Sequence, residues 1–100
     1  MISKSDKYAD YIKDYPDQLT VEQTFYEFPN EYGANVIYGE YTFGLEVAVI
    51  KWNEDDDAWD IDYSTPVTND VISHVEELDL VLDEIYDLPV RNLKTHLRNT

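Results

Sequence analysis

Aspartate and glutamate are the reactive residues that are numerous enough in this sequence to form a functional site. The chain of 100 residues has 22 aspartates and glutamates against seven lysines and arginines, a formal net charge of −15. Carboxylates can act as general acids and bases, hold a hard cation, or imitate the phosphates of a nucleic acid. At this density a pair such as Asp60 and Asp62 is typical of the solvent side of a strand, so it does not indicate a glycosidase.

The other reactive side chains form no catalytic motif. His74 and His96 are far apart in the chain, no serine stands in a G-x-S-x-G context, and there is no cysteine to act as a nucleophile. The glycines lie between or within predicted strands, where they form no phosphate-binding loop before a helix. We therefore predict that the protein is not an enzyme and that it has no cofactor.

Residues 53–57, with the sequence NEDDD, are predicted to form a charged turn. Ca²⁺ takes several carboxylate and carbonyl oxygens from one loop, so a bound cation is one interpretation of this turn. The D-x-D-x-D-G pattern with its distal glutamate is absent, which favours a solvated hairpin turn without a metal.

Two groups of carboxylates have spacings close to those of phosphates along a nucleic-acid strand. Residues three or four apart on a helix lie about 5–6 Å from one another, and alternate residues of a strand lie about 6.5–7 Å apart. The turn carboxylates are Glu54, Asp55, Asp56, Asp57, Asp60 and Asp62. The helix carboxylates are Glu76, Glu77, Asp79, Asp83, Glu84 and Asp87. We predict that these groups bind a protein partner, and the sequence leaves open which group forms the interface.

The distribution of charge indicates the class of partner. The bases lie near the two ends of the chain, so residues 14–90 carry 20 acids against Lys51 alone, a charge of −19. Such a field repels nucleic acid and anionic membrane and speeds encounter with basic surfaces. A net charge of about 2–8 suffices for the solubility of a small domain. The additional negative charge of this chain therefore indicates a function other than solubility. The oligomeric state is left open.

Strands are predicted where β-branched and aromatic residues cluster or alternate with polar ones. These segments are residues 20–28, 34–40, 41–52 and 58–63. In the third segment one face, predicted to be core, carries Tyr41, Phe43, Leu45, Val47 and Val49. The opposite face becomes apolar toward Trp52, which predicts partial cover by a helix.

Helices are predicted at both ends of the chain. Residues 5–15 place four apolar or aromatic side chains on one helical face: Tyr8, Tyr11, Ile12 and Tyr15. Residues 69–87 carry an apolar stripe formed by Val71, Val75, Leu78, Leu82 and Ile85. A division of this segment into two helices near residues 73–78 is left open, and a short helix is predicted after Pro89. The whole is predicted to be a single α+β domain over residues 1–100, an antiparallel four-stranded meander flanked by an N-terminal helix and C-terminal helices.

In length and charge the sequence resembles the small acidic inhibitors that phages encode against host nucleases, the DNA-mimic anti-restriction and anti-CRISPR proteins. The resemblance covers the whole chain as a size and charge class and involves no shared motif. It implies a protein that occludes the DNA-binding channel of a basic partner, such as a CRISPR effector or a restriction enzyme, without catalysis.

Two alternative interpretations remain open at this point. One is an immunity protein that neutralises a cognate basic toxin nuclease, and the other is an acidic accessory subunit whose charge serves only solubility. The lack of cysteine and of any long apolar run predicts a cytoplasmic location in the bacterial host.

Overall fold

The described part of the chain is organised around an antiparallel β-sheet. The computed structural model describes residues 2–16, 21–39, 42, 44–53, 55–67, 72 and 75–91. The strands are β1 (Ile12–Lys13), β2 (Glu22–Glu27), β3 (Tyr32–Tyr38), β4 (Leu45–Trp52) and β5 (Trp59–Ile61). Within the described residues there is one α-helix, α1 (Leu78–Tyr86), and a short 3-10 helix (Ala9–Tyr11) precedes β1.

The five strands lie in the sheet in chain order, and each is antiparallel to its neighbours. Beyond the short strand β5, Ile72 forms a β-bridge with Val47, and the Val75 amide donates to the Leu45 carbonyl. These contacts continue the hydrogen bonding along the edge of β4 and bring the chain to the start of α1.

α1 and the N-terminal segment, residues 2–11, cover one face of the sheet, which we call the helix face. Leu82 and Ile85 of α1 are fully buried there. The strands contribute alternate residues to the same cluster, among them Leu45, Val47 and Val49 of β4. The prediction that these three side chains of β4 lie on the core face is therefore confirmed.

The opposite face of the sheet carries a second cluster that is mainly aromatic. Phe25, Ile50 and Trp52 are buried in it, and Tyr15 and Trp59 pack against them. The ring centroids of Tyr15 and Trp59 lie 5.1 and 5.4 Å from that of Phe25. The predicted cover by a helix is not found in the described residues, where these aromatic rings take that place.

A glycine on β3 allows Trp52 to reach across the sheet. The indole Nε1 of Trp52 donates to the Tyr26 carbonyl of β2 at 2.9 Å, and Gly33 lies between them. A Cβ at Gly33 would stand 2.6 Å from that nitrogen and 1.9 Å from the Tyr26 oxygen. Only glycine therefore fits this crossing, which joins three neighbouring strands.

Asn30 closes the C-terminal end of α1. Its side-chain Nδ2 donates to the carbonyls of Ile85, Tyr86 and Leu88 at 2.8, 3.1 and 3.0 Å, and its Oδ1 accepts a bond from the Tyr32 amide at 3.0 Å. The last carbonyls of a helix have no partner within it, so a buried asparagine from the β2–β3 connection satisfies them.

The prediction of a four-stranded sheet flanked by an N-terminal helix is wrong. Residues 5–15 hold only the 3-10 helix Ala9–Tyr11, and the next two residues form β1, a fifth strand at the edge of the sheet. Tyr8 packs on the helix face and Tyr15 on the opposite face, an arrangement that a single helical stripe does not allow. Tertiary contacts of the tyrosines have overridden their helical spacing.

The predicted C-terminal helix over residues 69–87 is also wrong in its extent. α1 begins only at Leu78, because Ile72 and Val75 extend the edge of β4. The apolar stripe is nevertheless correct where it is described: its last four members pack in the core of the helix face. Val71 and most of the helix predicted after Pro89 lie outside the described residues.

Candidate functional site

Three of the turn carboxylates lie on the tight connection between β4 and β5. The Asn53 amide donates to the Ala58 carbonyl at 2.8 Å, and the Asp57 amide donates to the Asn53 carbonyl at 3.1 Å. Asp57 adopts a left-handed backbone conformation with φ of 54°, which aspartate tolerates better than most residues. These bonds fix the backbone while Asp55, Asp56 and Asp57 remain exposed.

Lys13 of β1 extends over the opposite face of the sheet to one of these carboxylates. Its ammonium lies 2.8 Å from Asp57 Oδ1 and 3.1 Å from Glu27 Oε2, and 5.3 Å from the centroid of the Trp52 ring. The hydrogen bonds to Asp57 and Glu27 raise the pKa of Lys13. Asp57 is therefore partly neutralised within the molecule.

The carboxylates of Asp55, Asp56 and Asp60 are the members of the turn group most accessible to a partner. All three are exposed, and none of them forms a salt bridge within the described residues. Asp56 accepts one bond from the Ala58 amide at 3.2 Å, which orients its carboxylate. Glu54 lies outside the described residues.

Asp62 differs from its neighbours because it is half-buried and held in place. It accepts bonds from the Ser64 hydroxyl at 2.5 Å and from the Ser64 amide at 2.8 Å. Burial opposes ionisation of this carboxyl, but the bonds from Ser64 and the nearby charges of Lys51 and Arg91 outweigh it and lower the pKa of Asp62.

Two of the helix carboxylates hold the N-terminal segment against α1. Asp79 accepts a hydrogen bond from the Ser5 hydroxyl at 2.5 Å, whereas Asp83 accepts one from the Tyr8 hydroxyl and one from the Lys7 ammonium at 2.7 Å. The bonds from Lys7 and Tyr8 lower the pKa of Asp83, and the bond to Asp83 raises the pKa of Lys7. Both carboxylates are therefore used in the fold.

The remaining helix carboxylates, Glu76, Glu77, Glu84 and Asp87, are exposed. Asp83 is half-buried, and Asp79, although exposed, already accepts a bond from Ser5. The predicted row from Glu76 to Asp87 is therefore interrupted by two carboxylates that have partners within the molecule. The structure separates the helix carboxylates into a structural pair and an outer group of four.

The C-terminal end of α1 lies at the same end of the sheet as the β4–β5 turn. Asn30 binds the last carbonyls of α1, and its own carbonyl accepts a bond from the Arg91 amide at 3.0 Å. The Arg91 guanidinium donates in turn to the Trp52 carbonyl at 3.0 Å, one residue before the turn begins. Asp87 therefore belongs to the same end of the molecule as the turn carboxylates.

A surface groove that was not among the predicted sites lies between the N-terminal segment and the first turn of α1. It has a volume of about 470 Å³, and its lining includes Ile2 and Asp6 on one side and Glu77, Leu78 and Leu80 on the other. We call it the N-terminal groove. One signal was present in the sequence: Leu80 is an apolar residue outside the predicted stripe, and it exposes 57% of its surface.

Two further properties of the described residues bear on function. No three acidic or histidine side chains among them are grouped so that they could hold a metal ion. No helix in this part of the chain is long and apolar enough to cross a membrane.

Comparison with known proteins gives no family. No protein-family model matches the chain, and neither a curated protein nor a solved structure is significantly similar to it.

Proposed function

We propose that the protein is a non-enzymatic acidic inhibitor, a phage anti-defence protein that acts in the bacterial cytoplasm. Its partner would be a nuclease or a CRISPR effector, whose basic nucleic-acid-binding surface it occupies as a DNA mimic. The observation that carries the proposal is a set of exposed carboxylates at one end of the sheet, Asp55, Asp56, Asp60 and Asp87, which form no ion pair with any residue that the structure describes.

The energetics support several weak contacts acting together. An exposed ion pair contributes about 0.2–1 kcal/mol, so no single carboxylate determines binding. A net charge of −15 adds long-range attraction toward a basic cleft, which accelerates encounter and weakens as salt rises. Inhibition that depends steeply on salt is the expected behaviour, as it is for the DNA that the protein replaces.

The proposed interface is also preorganised. Two backbone hydrogen bonds join Asn53 to Asp57 and to Ala58 at the base of the turn, and Asn30 fixes the end of α1 next to it. A surface that is ordered before binding loses less conformational entropy when the complex forms. This order supports a binding role over one in which charge serves solubility alone.

A DNA competition experiment tests the proposal. A basic DNA-binding protein is first recovered from the bacterial host on the immobilised chain, and its binding to labelled DNA is then measured with increasing inhibitor. We expect displacement of the DNA at about 50 mM salt and much weaker displacement at about 200 mM. DNA binding that is untouched by excess chain at the lower salt concentration would refute the proposal.

The second candidate is an immunity protein that neutralises a cognate basic toxin nuclease. The exposed pair Ile2 and Leu80 favours it, because apolar anchors select one partner surface whereas carboxylates alone suit many. Recovery of a single toxin nuclease, with inhibition that persists at high salt, would identify this function in place of DNA mimicry.

A further inference from the structure

We propose that the N-terminal groove is a docking site for an apolar side chain carried on a lysine- or arginine-rich segment of a partner protein. This assignment rests on the proposed function in one respect, because it takes the partner to be a basic protein. It assigns the specificity of binding to a surface separate from the exposed carboxylates at the other end of the sheet.

The apolar part of the groove is formed by three side chains. Ile2, Leu78 and Leu80 line it, and Ile2 and Leu80 leave 53% and 57% of their surface in water. Single exposed apolar residues are common on protein surfaces, but here two of them border one concavity. A volume of about 470 Å³ falls within the about 300–1,000 Å³ of sites that hold small ligands.

The charges around the groove define the occupant. Its lining contains the carboxylates of Asp6, Glu77 and Asp79 against the single ammonium of Lys4. A cationic segment would pair with the rim while its apolar side chain entered between Ile2 and Leu80. Nucleic acid and a second copy of this chain, with its charge of −15, are both disfavoured by repulsion.

The walls of the groove are held together before any partner binds. The Ser5 hydroxyl donates to Asp79 at 2.5 Å, and this bond joins the N-terminal segment to α1. The Ser5 amide donates to the Tyr26 hydroxyl at 2.9 Å, and the Ser3 amide donates to Glu22 at 2.5 Å. The groove is therefore preformed, and a partner would not have to pay the entropy of building it.

Two synthetic peptides of equal positive charge test the assignment. One carries leucine and lysine at helical spacing, and the other has serine in place of each leucine. Binding is followed by the backbone amide shifts of the full chain. We expect the leucine peptide to shift the amides of residues 2–6 and 77–80 and to bind about ten-fold more tightly than the serine peptide, since burial of a leucine is worth that factor or more.

A matched pair of variants completes the test. Leu80→Asn should lower the affinity for the leucine peptide to that for the serine peptide, whereas Tyr63→Asn should leave it unchanged, because Tyr63 exposes a similar 52% of its surface outside the groove. Equal binding of both peptides to the wild-type chain would overturn the assignment. So would amide shifts confined to residues 55–62, or a Leu80-dependent dimer of the chain in sedimentation.

The outcomes separate this assignment from the proposed function. Leu80-dependent peptide binding together with failed DNA competition would refute DNA mimicry and leave the groove assignment standing. Successful DNA competition without any Leu80-dependent binding would refute the groove assignment alone.

Discussion

The Tyr8 hydroxyl donates a hydrogen bond to the Asp83 carboxylate, and this contact joins the N-terminal segment to α1 across 75 residues of sequence. The Tyr8 ring is buried, with its centroid 5.4 Å from that of Phe28 and 5.6 Å from that of Tyr86. The contact therefore places the Tyr8 ring and the Asp83 carboxylate in the layer that covers the helix face of the sheet. Asp83 therefore has a structural role that does not depend on any partner.

Removal of the Tyr8 hydroxyl should destabilise the fold. We expect Tyr8→Phe to lower the free energy of unfolding by about 1 kcal/mol, the net value of one hydrogen bond, while the ring still packs. Tyr63→Phe is the matched control, because Tyr63 is exposed. The midpoints of urea unfolding measure both changes. Equal midpoints for the two variants would show that the bond to Asp83 does not stabilise the fold.

The stabilising effect of Asp83 should depend on pH in a defined direction. Its pKa is lowered by the hydrogen bonds from Lys7 and Tyr8, so its contribution is fully present above the unfolded value of about 4 and is lost as the pH falls through the lower folded value. The difference in unfolding free energy between wild type and Asp83→Ala should therefore shrink as the pH falls from the unfolded pKa through the folded pKa of Asp83. Leu80→Ala, which removes no titrating group, gives the baseline, and a difference for Asp83→Ala that stays constant or grows would contradict the linkage.

Asn30 should be sensitive to a substitution that changes one atom. In Asn30→Asp the carboxylate cannot donate to the three carbonyls at the end of α1, and its charge meets the negative end of the helix dipole. We expect a loss of at least about 2 kcal/mol in thermal or urea unfolding. Asn53→Asp adds the same charge in the turn and should cost much less. Similar losses for both variants would show that the charge, and not the cap, is responsible.

Gly33 should tolerate no side chain. Gly33→Ala would place its Cβ 1.9 Å from the Tyr26 carbonyl oxygen, so the strands must separate, at a cost of about 3 kcal/mol or more. Trp52→Phe loses only the indole bond and some packing at the same place, and it should be the milder of the two changes. Unfolding in guanidinium chloride measures the free energy of unfolding of both variants. A Gly33→Ala variant as stable as wild type would mean that the crossing of Trp52 over β3 is wrong.

The fold was predictable from the sequence where the local spacing of apolar residues determines which face of a strand or helix is buried. The side chains of β4 occupy the expected faces because successive side chains of a strand point to opposite faces. The apolar stripe of α1 faces the sheet because residues three or four apart lie on the same face of a helix. The N-terminal segment was predicted incorrectly because Tyr8 is placed by Asp83, which is distant in the chain. No local pattern contains that contact.

The candidate site was predictable in composition but not in arrangement. The exposed turn carboxylates follow from a charged run between two strands. The division of the helix carboxylates does not, because it depends on which of them the N-terminal segment reaches: Asp79 through Ser5 and Asp83 through Lys7 and Tyr8. The N-terminal groove was missed for the same reason, since Leu80 borders it only once Ile2 has been placed beside α1.

Inhibition should depend on the position of the exposed carboxylates and not on net charge alone, and two double variants of equal charge separate these causes. Asp55→Asn with Asp56→Asn neutralises the turn, whereas Asp14→Asn with Glu76→Gln neutralises two exposed residues away from that end of the sheet and serves as the control variant. The measurement is the concentration of each that halves DNA binding by the captured basic partner at about 50 mM salt. We expect the turn variant to require about five-fold more protein than wild type and the control variant to match wild type. Equal inhibition by the two variants would contradict a role for the turn carboxylates in the interface.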